Sequence, residues 1–333
     1  MFFFPIAKIP IFCDTCKFFS LFLLFSSICF VALANFLYLC TLKYYNVKAN
    51  TMKTGLVLEG GGLRGMFTGG VIDAMLDEDI RFDGMIGVSA GALFGCNLKS
   101  RQKGRALRYN VNLRKDPRYM GLRSLIKTGD IVGAEFSYHV VPFEIDPFDG
   151  ETFKENPMDF WLVTTDIETG EPVYHQMKEF THHELDWMRA SGSMPAVSRP
   201  VKLDGRVMLD GGMVDAIPLK AFQNMGYERN IVVLTQPRDY FKKKSKLVWI
   251  IKQLTKKYPK VGEVMARRHD MYNEELEYIA AQEKAGNTLL IYPDKPLKIG
   301  RTELNEKKMR RVHRQGYEAA RQMMPQIKDF LKG

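Results

Sequence analysis

Phe82-Asp83-Gly84-Met85-Ile86-Gly87-Val88-Ser89-Ala90-Gly91-Ala92-Leu93-Phe94 reads as a strand, a hard turn and the opening of a helix. The run from Phe82 to Val88 is apolar except for Asp83 and Gly84, and Ala90 onward has the small and apolar residues of a helix start. The turn is Gly-x-Ser-x-Gly, centred on Ser89. A serine at such an elbow holds its hydroxyl clear of the backbone, above the end of the sheet. Gly87 and Gly91 suit a turn where strand and helix approach closely. The helix N-terminus behind Ser89, beginning with the Ala90 N–H, offers unpaired amides to a developing negative charge. Alone, the pentapeptide is equally an ordinary strand-to-helix turn.

Upstream lies a second unit of the same design. Thr54 to Glu59 reads as a buried strand, Gly60-Gly61-Gly62-Leu63-Arg64-Gly65 as a glycine turn, and Met66 to Leu76 as a helix. The turn satisfies Gly-x-Gly-x-x-Gly, the dinucleotide pattern, which wants an acid about 20 residues on, at the end of the second strand. Asp83 has roughly that spacing but opens its strand, so the dinucleotide reading is set aside. Consecutive glycines instead form a nest of amide hydrogens, an oxyanion hole in which Arg64 either braces the loop or assists. Downstream, Val207-Met208-Leu209-Asp210-Gly211-Gly212-Met213 places a carboxylate at a strand end, from which it can take the Ser89 proton directly or through water.

The ordered set Gly-Gly-Gly-x-Arg-Gly, Gly-x-Ser-x-Gly and Asp-Gly-Gly resembles the patatin-like phospholipase family. Ala190-Ser191-Gly192-Ser193-Met194-Pro195 is similar to that family's Ala-Ser-x-x-x-Pro segment, and the pattern covers roughly Lys53 to Leu219. The tail from Arg267 to Leu331 looks like a C-terminal extension of bacterial members. The resemblance implies a three-layer α/β/α sandwich with a mostly parallel sheet. It implies a Ser-Asp dyad lipase or phospholipase with no metal and no cofactor, acting on lipid esters through an acyl-enzyme. Ser89 would be the nucleophile and Asp210 the general base. Gly60, Gly61, Gly62, Arg64 and Gly65, with the Ala90 N–H, would form the oxyanion loop. Gly87, Gly91, Gly211 and Gly212 would support the turns. Glu59 stands where many members have Asp, at a position that is not itself catalytic.

Rival chemistries are weighed against this. A Ser-Asp-His triad would draw on Asp166 or Asp210 and on His269 or His313, both in strongly charged helical stretches. His182-His183-Glu184 lacks the spacing of a two-ligand helix face and reads as a helix start after Thr181. Cys96 reads as a buried thiol. A non-catalytic lipid-binding module on the same scaffold is the remaining alternative.

Three segments are expected: a hydrophobic stretch over 1–51, a catalytic core over 52–225, and last core strands with a helical basic extension over 226–333. Between Lys17 and Lys43 lie 25 uncharged residues, enough to cross a bilayer. Ala32-Leu33-Ala34 resembles a signal-peptidase site, and Met52 would serve as an alternative start. As an anchor, the lysine bias leaves the catalytic domain cytoplasmic; with a start at Met52 the protein is cytoplasmic and soluble. Cys13 and Cys16 read as incidental, and the remainder carries no cysteine framework.

Further strands are expected at Asp159–Thr165, Pro172–Met177, Asn230–Thr235 and Asn287–Tyr292, with irregular or short-helical cover over Gly121–Phe148. The net charge is +10, and much of it is concentrated in lysines between Lys242 and Lys260. As a helix this region shows an apolar stripe at Leu247, Ile250, Ile251 and Leu254. It reads either as a face packed on the core or as a contact with an anionic membrane surface. No motif or stacking platform accompanies the lysines, so nucleic acid is not expected.

Overall fold

The structure, a computed structural model, describes residues 52–332. The anchor, signal and alternative-start readings of residues 1–51 lie outside the described residues. Among the described residues no helix is long and apolar enough to cross a membrane.

The strands are β1 (Thr54–Leu58), β2 (Gly84–Val88), β3 (Asp159–Asp166), β4 (Pro172–Gln176), β5 (Val201–Leu203), β6 (Arg206–Asp210), β7 (Arg229–Val233) and β8 (Thr288–Ile291). They form one sheet in the order β5-β6-β3-β2-β1-β7-β8, with β4 also paired to β3. The β3-β2-β1-β7-β8 portion is parallel, while β4, β5 and β6 are joined by antiparallel pairings. Parallel strands are covered on both faces, which is why β1 and β2 are nearly continuous apolar runs.

Alternation along the strands divides the core in two. Leu56, Leu58, Met85 and Ile231 face one layer. It is built from α1 (Met66–Asp77), α2 (Ala90–Lys99) and α10 (Glu306–Lys332), through Phe67, Phe94, Val312 and Ile327. Val57, Ile86 and Val232 face the opposite layer, built from α7 (Leu219–Asn224) and α9 (Pro259–Lys284), through Phe222, Tyr272 and Ile279. The result is a three-layer α/β/α sandwich. Helices α1 and α10 touch backbone to backbone. A Cβ on Gly70 would lie 1.9 Å from the His313 carbonyl oxygen, and one on Gly316 would lie 1.9 Å from that of Phe67.

Register explains how distant residues reach one place. Val88 pairs with Val163 across β2 and β3, and Asp210 pairs with Thr164 across β6 and β3. Ser89, next after Val88, therefore stands at the level of Asp210, with β3 between them. The glycine turn leaves β1 at the same rim, because β1 and β2 pair Leu58 with Gly87.

Candidate active site

The Ser89 elbow is strained and clamped. Ser89 has φ 54° and ψ −124°, a region costing a non-glycine residue about 1–3 kcal/mol. The clamp is Ser191, at the end of α6 (His182–Gly192): its Oγ accepts the Ser89 N–H at 2.9 Å and donates to the Val163 carbonyl at 2.8 Å. The turn tolerates only glycine at its flanks. A Cβ on Gly87 would meet the Ala92 nitrogen at 2.5 Å, and one on Gly91 the Leu58 carbonyl oxygen at 2.4 Å.

Asp210 is buried, and its Oδ1 accepts the Gly212 N–H at 2.8 Å. Its backbone is pinned by a bond from its N–H to the Ser193 carbonyl and by one from the Thr165 hydroxyl to its own carbonyl, each 2.8 Å. Burial pushes its carboxyl above the usual range. The nearby Ser89 side chain, the Gly212 amide, and the charges of Arg268 and Arg301 pull the other way. A Cβ on Gly211 would strike the Val163 carbonyl oxygen at 2.4 Å, so this turn also requires its glycine.

Above the pair sits the glycine loop. The amides of Gly60, Gly61, Gly62 and Ala90 have no hydrogen-bond acceptor among the described residues, whereas the Leu63 N–H is taken by the Arg301 carbonyl at 3.0 Å. Gly62 has φ +58°, and a Cβ there would lie 2.7 Å from that same carbonyl oxygen. Gly65 lies under Phe94 and Ala90. Glu59 is buried at the base of the loop, where its carboxylate accepts bonds from the Thr235 amide and hydroxyl and, at 2.7 Å, from the Tyr272 hydroxyl.

Two cavities meet at Ser89. One, of about 130 Å³, is lined mainly by apolar groups such as Leu93, Phe94, Tyr109, Val141, Phe148 and Met188. The segment expected as cover, 121–148, contributes Val132, Tyr138 and Val141 to it. Cys96 also lines it, and burial pushes that thiol up to about 12, out of reach of ionisation. The other cavity, of about 500 Å³, holds Asp210, Gly60, Gly61, Arg64, Lys242, Arg268 and Arg301. Its far wall is α8 (Val248–Leu254), whose stripe of Ile250, Ile251 and Leu254, with Leu247 just before it, faces the cavity. The stripe thus neither packs wholly on the core nor stands wholly free. Trp249 and Leu254 remain exposed.

The rival ligands go elsewhere. Neither cavity at Ser89 is lined by a histidine. His313 bonds Asp73 at 2.9 Å between α10 and α1, and His269 pairs with its neighbour Asp270 at 3.3 Å. Asp166 turns back on its own loop, accepting the Glu168 N–H at 3.0 Å. Asp83 ties the opposite end of the sheet, accepting from the Thr54 N–H at 2.7 Å. His182 comes directly after the cap Thr181 as expected, His175 bonds Glu184 at 2.8 Å, and no cluster of three metal-ligating side chains occurs among the described residues.

Sequence reasoning missed Ser191's clamping role and the inward placement of three cations. Lys242 belongs to a run of lysines and carries no sign that it turns in. Arg268 and Arg301 lie far along the chain with no local pattern. Burial, with repulsion from Arg268 and Arg301, pulls the Lys242 ammonium down to about 7.

A family model described as patatin-like phospholipase matches residues 56–222, and one described as a domain of unknown function (DUF6363) matches 258–332. Among curated proteins, the uncharacterised YjjU of Escherichia coli is 31% identical over 197 residues, covering 57% of this chain and 54% of that protein. Lysophospholipase nte1 of Aspergillus oryzae is 29% identical over 183 residues, covering 52% of this chain and 11% of that protein. The chain thus spans about half of the first relative and a small part of the second. Among solved structures, VipD from Legionella pneumophila superposes with a TM-score of 0.42 at 13% identity, over 83% of this chain and 67% of that one.

Proposed function

Because this chain belongs to the patatin-like phospholipase family, we propose that it is a lipid acyl hydrolase working through a Ser89–Asp210 dyad and an acyl-enzyme. The observation that carries the reading is that Ser89 and a buried Asp210 carboxylate line one cavity, at the same level of the sheet, beside unpaired amides.

Ser89 Oγ attacks the ester carbonyl while its proton passes to Asp210. Burial has raised the basicity of that carboxylate, which makes it a better acceptor than a solvated aspartate. The tetrahedral oxyanion lies against the amides of Gly60, Gly61, Gly62 and Ala90; one such donor is worth roughly 3–4 kcal/mol of barrier. Collapse expels the alcohol, which leaves with the proton held by Asp210, and the acyl group stays on Ser89. Water then attacks, giving its proton to Asp210. Collapse frees the acid and returns the proton to Ser89.

The apolar cavity suits the acyl chain. Its 130 Å³ is close to the roughly 150 Å³ that admits a benzene ring, so it seats the first carbons beyond the carbonyl. The exposed Phe241, Leu247, Trp249 and Leu254 stand among Lys243, Lys244, Lys246, Lys252, Lys256 and Lys257. This rim fits an anionic lipid surface, apolar groups entering the headgroup layer and lysines meeting its charge. Binding to anionic vesicles that fades at high salt supports that contact; equal binding to neutral vesicles refutes it.

The test of the chemistry is turnover of short-chain p-nitrophenyl esters by the wild type, Ser89→Ala and Asp210→Asn. The proposal expects both variants to fall by a factor of about 10³ or more. Retained turnover in Ser89→Ala removes the nucleophile assignment.

A further inference from the structure

We infer that the C-terminal region completes the active site with a phosphate-binding subsite, in which Lys242, Arg268 and Arg301 join Arg64 around the cavity beside Ser89 and bind the phosphate of a lipid headgroup. The inference rests on the acyl hydrolase reading for the ester and adds the chemistry of the leaving alcohol.

The four cations come from four separate parts of the chain. Arg64 lies in the glycine turn, Lys242 in the segment after β7, Arg268 on α9 and Arg301 before α10. Three of the four lie beyond residues 56–222, and Arg268 and Arg301 fall within 258–332, the region matched as a domain of unknown function. Yet all four line the one cavity that also holds Ser89 and Asp210.

Each is held in place by a contact other than an ion pair. The Arg64 guanidinium folds onto Gly61, where an added Cβ would lie 3.2 Å from its Nη2. Arg268 donates from Nε to the Gly212 carbonyl, beside Asp210. The Arg301 carbonyl is fixed by the Leu63 N–H. The backbone of Lys242 is clamped on both sides by Asn273: its N–H donates to Asn273 Oδ1 at 2.9 Å, and its carbonyl accepts from Nδ2 at 3.1 Å. The Lys242 ammonium then stands over the Tyr272 ring, 3.9 Å from its centroid.

None of the four makes a salt bridge among the described residues, whereas Arg105 and Arg108 share Asp146 and Arg189 meets Asp130. Arg64 Nε is buried without a hydrogen-bond partner. The carboxylates near the group already accept other bonds, Glu59 from Thr235 and Tyr272 and Asp210 from Gly212. Four cations against the two carboxylates of the same cavity leave an excess of positive charge, and burial, followed by mutual repulsion, lowers Lys242 and Arg301 despite the attraction of Glu59 and Asp210. A dianionic or monoanionic phosphate in the cavity offsets that excess and satisfies the vacant donors, with charge-assisted bonds from guanidinium forks. The geometry also matches a glycerophospholipid: Ser89 sits between an apolar cavity for the acyl chain and a cationic one for the phosphorylated alcohol beyond the ester oxygen.

The test uses the full chain and two esters with one acyl chain in common, a lysophosphatidylglycerol and a monoacylglycerol. The readout is the ratio of their kcat/KM values. Lys242→Gln and Arg301→Gln are each expected to lower that ratio about tenfold, mainly through KM, as fits the loss of one charged hydrogen bond. Arg301→Lys and Lys242→Arg should restore most of it. A ratio that stays within twofold, or a loss equal on both esters, overturns the inference.

Calorimetric titration of the Ser89→Ala chain with inorganic phosphate and with glycerol 1-phosphate separates this inference from the hydrolase reading. Glycerol 1-phosphate binding more tightly than inorganic phosphate, and weakening about tenfold in Lys242→Gln and Arg301→Gln, supports a headgroup subsite even if the wild type hydrolyses neither ester. Binding of inorganic phosphate alone, or of neither compound, overturns it whatever the turnover.

Discussion

Ser191→Ala tests how the elbow is held. The Ser191 hydroxyl is fully buried, bridges the Ser89 N–H at 2.9 Å and the Val163 carbonyl at 2.8 Å, and so joins α6, β3 and the elbow. Two net hydrogen bonds contribute about 0.5–1.5 kcal/mol each, and the Ser89 amide left unpaired adds about 1–3 kcal/mol. Ala at 191 relieves the cost of burying one hydroxyl, so the expected loss is about 2–4 kcal/mol. Urea unfolding should show a lower midpoint with an unchanged slope. Ester turnover should fall as well, because an unclamped Ser89 relaxes from its strained φ of 54°. The control is Ser193→Ala, whose hydroxyl bonds only the Arg189 carbonyl in the last turn of the helix that it caps, at 2.8 Å. It should cost about 1 kcal/mol or less. A Ser191→Ala loss below about 0.5 kcal/mol, or one equal to that of Ser193→Ala, refutes the clamp.

Asp210→Asn should abolish turnover yet leave the melting temperature at pH 7 unchanged or higher. A raised carboxyl favours the folded state when protonated, and that contribution is lost as pH rises through its folded value, so at pH 7 the ionised group is a cost. A lower melting temperature at pH 7 contradicts this. Lys242→Met should stabilise the chain below about pH 7, and the gap should close toward pH 10.5, because the charged form is disfavoured in the fold. At 1.36 kcal/mol per pH unit the ceiling is about 4–5 kcal/mol; solvent screening and the lost Tyr272 contact reduce it to about 1 kcal/mol in thermal unfolding at pH 6. Gly316→Ala should cost about 3 kcal/mol in urea unfolding, since the new Cβ meets the Phe67 carbonyl oxygen and pushes α10 off α1. His269→Ala and His313→Ala should keep ester turnover within about twofold, as neither lines a cavity at Ser89; a collapse in either restores the triad.

The sequence made the parallel half of the fold legible because its signals are local. β1, β2, β3, β7 and β8 end within a residue or two of the expected runs, since each is a short apolar stretch bounded by glycine or polar residues. The turns at Ser89 and Asp210 were legible for the same reason: a Cβ at Gly87 or Gly211 collides with backbone, and such turns advertise themselves. β5 was not, being three residues long and marked only by the Asp204-Gly205 turn after it. The cations of the second cavity escaped because their meaning is tertiary. Lys242 differs from Lys243 only in that Asn273, 31 residues on, turns it inward. Arg301 comes after Gly300 in a stretch without regular structure, and only the bond from Leu63 to its carbonyl brings it to the glycine loop. The stripe of α8 reads correctly as apolar, but it lines the mouth of the site as well as meeting the core, where Ile251 packs.

The dyad is best put to proof by fluorophosphonate labelling of the full chain, then peptide mapping and intact mass. A single adduct on the peptide carrying Ser89, formed much more slowly in Asp210→Asn, is the expected result. Labelling at any other serine, or labelling of Ser89 at the same rate in Asp210→Asn, contradicts the account.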